Sequence, residues 1–175
     1  MGIWATAETH VASIVTDVLK SGSGGTMDPH AELDSFIDKF TPEVAALTRA
    51  LLAKAIAQVP GATIPVYDNY NALAIGFGAS DRVKDIIFSL AVMPRWVTLC
   101  FTWGTRLDDP GQLLGGSGSQ VRHIRLHVPE AWDAPAVQDF VAQALTRADR
   151  PIDPTATGGL VIKSISAKQR PRRPA

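Results

Sequence analysis

The stretch Val121-Arg122-His123-Ile124-Arg125-Leu126-His127-Val128 alternates polar and apolar residues with a period of two. On a strand, His123, Arg125 and His127 project from one face and Ile124, Leu126 and Val128 from the other. The glycine-rich run Leu114-Gly115-Gly116-Ser117-Gly118-Ser119-Gln120 leads straight into it. Working upstream, the spacing predicts four more strands over 64–70, 72–78, 86–92 and 96–103. Short connections imply an antiparallel meander, because parallel neighbours need long crossovers. Downstream, Leu160-Val161-Ile162-Lys163-Ser164-Ile165 reads as a last edge strand.

Helical spacing flanks the strands. Asp28-Pro29 and Thr41-Pro42 each place a capping side chain before a proline at the first helical position. Leu33, Phe36, Ile37 and Phe40 form one apolar stripe. Val44, Leu47, Leu51, Leu52, Ile56 and Val59 form a second, which Pro60-Gly61 stops. Asp133 reads as the cap of a third helix through Val137, Phe140, Val141, Ala144 and Leu145. Trp4, Val11, Ile14, Val15, Val18 and Leu19 also recur at helical spacing, ahead of a flexible Ser21-Gly22-Ser23-Gly24-Gly25. Met27, just before the strong helix start, offers an alternative beginning for the natural product.

Helices, then strands, then a helix is an α+β order. The expected fold is an antiparallel sheet of about five to six strands packed on helices from both ends of the domain. That domain covers 28–166, between an N-terminal extension and linker at 1–27 and a basic tail at 167–175. Leu73, Ile75 and Phe77; Ile86, Phe88, Leu90 and Val92; Val97, Leu99, Phe101 and Trp103; and Ile124, Leu126 and Val128 should face the helices. The alternate positions hold Ala72, Ala74, Gly76, Gly78, Ser89, Ala91, Thr98, Cys100 and Thr102 beside His123, Arg125 and His127. Small side chains next to imidazole and guanidinium make a shallow trough with a polar wall, suited to a ligand or partner. A solvated face, or one covered by the N-terminal segment or a second subunit, fits the same pattern.

Composition bounds the rest. At 175 residues, 46% hydrophobic and 19% charged, the chain has the make-up of a globular domain with a full core. Cys100 is the only cysteine, so a reducing compartment is expected. No apolar run approaches the ~20 residues of a spanning helix. Glu8, His10 and Asp17 interrupt any signal-peptide core. The expected location is the cytoplasm. Met1-Gly2-Ile3-Trp4-Ala5-Thr6 fits the short N-myristoylation pattern. Lys163, Lys168, Arg170, Arg172 and Arg173 end the chain with no acid among them, although the whole is formally neutral. Such a tail is either solvated or able to touch RNA or an anionic surface; nucleic acid is not the expected partner.

From about Phe36 to Ile165 the chain resembles the bacterial DUF1801 family, also called YdhG-like. The resemblance rests on Val66-Tyr67-Asp68-Asn69-Tyr70-Asn71-Ala72-Leu73, Pro94-Arg95-Trp96-Val97, Gly116-Ser117-Gly118-Ser119-Gln120-Val121-Arg122-His123-Ile124 and Ile165-Ser166-Ala167-Lys168-Gln169-Arg170. It implies a small protein with an antiparallel sheet on helices, reminiscent of frataxin, and iron handling as one function. The chain has Tyr67-Asp68-Asn69-Tyr70 where the family commonly has Tyr-Gly-x-Pro, and Ser119-Gln120 where a lysine is common.

Three chemistries are open. Gly115, Gly116 and Gly118 permit turns that point NH groups into a concavity around Ser117, and Arg122 or Arg125 would complete an anion site; a plain hairpin loop reads the same. Tyr67, Asp68, Asn69 and Tyr70 either satisfy a turn or wall a planar ligand. For metal, His123 and His127 stand roughly 13 Å apart along a strand with Arg125 between them, which disfavours zinc. Asp34 and Asp38 are an i,i+4 acid pair that would hold iron weakly, or simply a solvated helix face. No nucleophile–base or paired-acid constellation is visible. The leading expectation is a non-enzymatic binding module for a small anionic or planar ligand or a protein partner. A frataxin-like iron chaperone and contact through the basic tail are the alternatives, and self-association is compatible with each.

Overall fold

The computed structural model describes residues 27–174, so the helix read through Trp4 and Leu19, the Ser21–Gly25 linker and the Gly2 pattern lie outside it. In chain order the elements are α1 (Pro29–Ile37), α2 (Pro42–Gln58), β1 (Thr63–Asp68), β2 (Leu73–Gly78), β3 (Ile86–Val92), β4 (Val97–Phe101), β5 (Arg122–Leu126), α3 (Pro135–Thr146) and β6 (Gly159–Ile165). Single 3-10 turns sit at Val83–Asp85, Gly104–Arg106 and Pro129–Asp133.

Both N-terminal start signals work as read. The Asp28 carboxylate accepts from the Ala31 N–H at 3.3 Å and the Thr41 hydroxyl from the Val44 N–H at 3.4 Å. Each satisfies one orphan donor of its helix, and a proline follows each cap. Gly61, at φ 79, turns the chain out of α2 towards β1. Asp133 does not cap α3. It closes the preceding 3-10 turn and its carboxylate meets Lys54 at 2.6 Å, while Ala134 occupies the cap position without a side-chain bond.

The strands form one six-stranded sheet in the order β5-β4-β3-β2-β1-β6. β1 to β5 are the antiparallel meander. β6 departs from an all-antiparallel expectation: after α3 the chain crosses to the far edge and pairs parallel to β1. The α+β class holds, with a mixed, mostly antiparallel sheet.

One face carries the main core. Val66, Leu73, Ile75, Phe77, Phe88, Leu90, Val92, Val97, Leu99, Phe101 and Leu126 meet Leu33, Ile37, Phe40, Leu51 and Ala55 from α1, the α1–α2 turn and α2, and Val137, Phe140 and Val141 from α3. Phe77 stacks on Phe88 at 5.0 Å between ring centroids, and Phe101 meets Phe140 edge-on at 6.1 Å. Burying each large apolar side chain contributes about 1.5–3 kcal/mol, so this face dominates stability.

Three expected core positions lie elsewhere. Gly78 pairs with Ile86 where Phe77 pairs with Phe88, leaving Ile87 as the extra residue of a bulge. Ile87 therefore joins the main core and Ile86 turns to the opposite face. Trp103 lies past the end of β4 under the Arg106 guanidinium, 4.1 Å from its ring. Val128 is exposed because β5 ends at Leu126.

Gly104 fixes the approach to β5. A Cβ there would lie 2.5 Å from the Arg122 backbone nitrogen, with Thr105 N–H donating to Gln120 O at 3.1 Å nearby. Gly104→Ala is expected to cost about 1–3 kcal/mol by overpacking. Gly118→Ala, with nothing within 4 Å of the added carbon, should cost under about 0.5 kcal/mol. Urea unfolding midpoints of the two variants check this contrast.

Candidate functional site

The second face of the sheet is organised by register. Tyr67 pairs with Ala74, Ala74 with Ala91, Ala91 with Thr98, and Thr98 with Arg125. This makes one row of five side chains across five strands, large at the ends and small between. A second row runs Gly76, Ser89, Cys100, His123, with Pro65 beside Gly76. The rows form a trough whose far walls, Tyr67 and Arg125, stand about 19 Å apart at ~4.8 Å per strand.

The floor of the trough is not open. Tyr67 is 2% exposed, Ala91 1%, Thr98 2% and Cys100 4%. Tyr67, Ala72 and Ala74 form a second cluster with Val83, Ile86 and Met93 packed against it. The expectation of a solvent-accessible trough therefore fails at the centre and holds only at the rim. All three described helices bury their apolar sides in the core on the opposite face.

The rim at β5 holds the residues singled out in the sequence. The Arg125 guanidinium stacks on Trp96, 4.5 Å from its ring. The Trp96 indole N–H in turn donates to the Thr98 hydroxyl at 3.1 Å. Trp96, a residue the alternation argument passed over, thus anchors Arg125. His123 is half-buried opposite Cys100, and His127 lies exposed beyond the strand end. The glycine-rich loop adds one rung to β5: Gly115 N–H donates to His123 O at 2.8 Å, and His123 N–H to Gly115 O at 3.0 Å.

Arg122 has a different task from the one expected. Its Nη1 donates to Gly118 O at 2.6 Å and Val121 O at 2.8 Å, holding the loop by its carbonyls. Only Gly116, at φ 114, is left-handed in that loop, and Ser117 and Gly118 are exposed. The loop is a shoulder beside the rim, pinned by Arg122.

Burial sets the chemistry of the floor. It pushes the Cys100 thiol up to about 12, with a hydrogen bond involving Ser89 opposing. The thiol stays protonated at neutral pH and is no nucleophile. Burial, reinforced by Asp81, raises the Tyr67 phenol to about 12 as well. Asp81 itself is held low by its bond to Lys163, at 2.6 Å.

Tyr67 to Asn71 belong to a second construction. Asp68 is fully buried on the helix side and meets Lys39 at 2.5 Å and Arg172 at 2.8 Å. The residues after β6 are not a solvated tail here. Ser166 N–H donates to Asp68 O, Arg170 N–H to Tyr70 O, and Arg173 to the carbonyls of Asp38 and Phe40. Arg172 also reaches Asn69 O and lies over the Phe40 ring. Burial pulls its guanidinium below the usual range, against the pull of Asp68. Arg172 Nε and Nη1, Asn69 Nδ2, Asn71 Oδ1 and Tyr67 OH are buried without a hydrogen-bond partner among the described residues. A buried strand aspartate demands a cation. The sequence carries that signal, but Lys39 and Arg172 lie far from Asp68 along the chain.

The acids proposed for iron are already engaged. Arg49 bonds Asp34 at 3.2 Å and Asp38 at 2.7 Å. Among the described residues no group of three or more His, Cys, Asp or Glu is placed to hold a metal. No described helix is long and apolar enough to cross a membrane. No known protein family matches the chain, nor does any curated protein or solved structure.

Removing one partner of a buried pair leaves an uncompensated charge, so Arg172→Ala and Asp68→Ala should each cost about 3–5 kcal/mol. The double variant should lose markedly less than the sum of the two; a double-mutant cycle by chemical denaturation measures this.

The Tyr67 phenol is raised above its unfolded value of about 10. Its contribution to stability is therefore complete below pH 10 and is lost as the pH rises to about 12. Tyr67→Phe should remove the absorbance step at about pH 12 and flatten the stability loss between pH 10 and 12.

Proposed function

We propose that this protein is a non-enzymatic cytoplasmic binding module of the DUF1801 type, taking a small anionic or planar ligand at the β5 rim of the second sheet face. The observation that carries the reading is the stacked Arg125–Trp96 pair beside His123, held against a loop pinned by Arg122. Stacking on an aromatic ring fixes the plane of a guanidinium, and a fixed plane is what recognition of a carboxylate or phosphate requires. The indole and imidazole edges suit a flat ring. His127, Ser117 and Gly118 border the same rim. The protonated, buried Cys100 supports binding over catalysis. The single cysteine supports a reducing compartment.

Thermal-shift measurements against nucleotides, sugar phosphates and aromatic carboxylates test it. A ligand at one hundred times its Kd stabilises by about 2.7 kcal/mol, roughly 5–10 °C for a domain of this size. Arg125→Ala and His123→Ala should abolish that shift, while Arg49→Ala should retain it. Shifts that persist in both rim variants, or a panel that produces none, would refute the reading.

A further inference from the structure

The C-terminal segment buries a cation that its neighbours only half satisfy. Arg172 is 5% exposed, in the company of the fully buried Asp68. A guanidinium carries five N–H bonds in one fixed plane. The pair on Nη2 goes to Asp68 Oδ1 at 2.8 Å and to Asn69 O. Nε and Nη1 carry the rest, and both are buried without an acceptor among the described residues. So is Asn69 Nδ2, the carboxamide donor of the residue whose carbonyl Arg172 already holds. Buried donors are as a rule paired, so orphans call for an acceptor. We propose that Arg172 Nε and Nη1, together with Asn69 Nδ2, bind a small monovalent anion of the size of chloride beneath the C-terminal segment.

Three observations favour an anion over a water molecule. The first is that the orphans on Arg172 and Asn69 are all donors. A water among them would need acceptors for its own hydrogens. Asn71 Oδ1 is an orphaned acceptor in the same turn, and that carboxamide can turn to offer its Nδ2 instead. Tyr67 OH, also orphaned, belongs to the cluster on the other face of the sheet.

The second is charge. Asp68 is shared between Lys39 at 2.5 Å and Arg172 at 2.8 Å, so two cations face one carboxylate. Arg173 adds another beside them, bonded to the carbonyls of Phe40 and Asp38, and the Asp38 carboxylate is taken by Arg49. Residues 166–174 bring Lys168 and Arg170 as well, and no acid. The third is burial. It pulls the Arg172 guanidinium below the usual range in spite of Asp68, and a second negative charge opposes that pull. The Phe40 ring, 5.5 Å from the guanidinium carbon, offers no lone pair. Enclosure sets the size of the occupant, since an ion that sheds its water is better a halide than a phosphate. The site lies by β1 and β6, at the edge of the sheet opposite β5, and does not depend on what the β5 rim binds.

The test compares the full chain in sodium chloride and in sodium gluconate at equal ionic strength, gluconate being too large for an enclosed site. Chloride should raise the thermal midpoint by at least about 2 °C, and the protein should broaden the chlorine-35 resonance. Hydrogen exchange at the Ser166 and Arg170 amides, which bond Asp68 O and Tyr70 O, should be slower in chloride. Asn69→Asp puts a carboxylate where the donor stood, so its midpoint should be equal in the two salts and the broadening should vanish. Arg170→Ala, which removes an exposed cation of the same segment, should keep both effects. Equal midpoints and an unbroadened resonance in the parent chain would overturn the proposal and assign the orphan donors to water. A chloride effect that survives in Asn69→Asp would overturn it too, placing the ion elsewhere on the surface.

Discussion

Leu73, Ile75 and Phe77 of β2 face one way, and the positions between them offer only Ala74, Gly76 and Gly78. Repeated across β3 and β4 and ended at β5 by His123 and Arg125, this inequality is the constraint from which the molecule follows. The bulky side collects the three described helices, because only there is enough apolar area to offset the entropy of ordering them. The small side gathers only a minor cluster, Tyr67, Ala72 and Ala74 with Val83, Ile86 and Met93 packed against it.

Two edges of the sheet are then finished differently. At the β5 edge the glycine-rich loop adds a rung and is pinned by Arg122 through loop carbonyls. This blunts an otherwise exposed edge strand and steadies His123 and Arg125. At the other edge β6 pairs with β1 in parallel, and the following residues fold over the β1–β2 turn. Asp68, buried with Arg172 and bonded to Lys39, ties the α1–α2 turn, the first hairpin and the C-terminal segment together. A buried ion pair is a poor source of net stability but a strict specifier of partners, and here it fixes where the last residues go.

Much of this was legible in the residues. The caps at Asp28 and Thr41, the meander and the assignment of most strand faces all follow from local spacing, because each depends on neighbours within a few positions. What escaped the sequence depends on contacts across the chain. The bulge at Ile87 shifts Ile86 to the other face, and period two cannot reveal an inserted residue. Asp133 looks like a helix cap until Lys54 from α2 is seen beside it. The basic C-terminus looks solvated until Asp68 is found without solvent. At the candidate rim, His123 and Arg125 were visible by alternation, but the partnership of Arg125 with Trp96 was not, since only the register between β4 and β5 brings the two together. Arg122, which the glycine-rich loop offers as the completion of an anion site, instead holds that loop by its carbonyls.

The account stands or falls on the two faces of the sheet contributing unequally to the fold. Urea unfolding of Leu90→Ala and Ser89→Ala, neighbours on β3 that face opposite ways, measures this most directly. The predicted result is a loss of about 2–5 kcal/mol for Leu90→Ala and of under about 1 kcal/mol for Ser89→Ala. Equal losses from the two variants would contradict it.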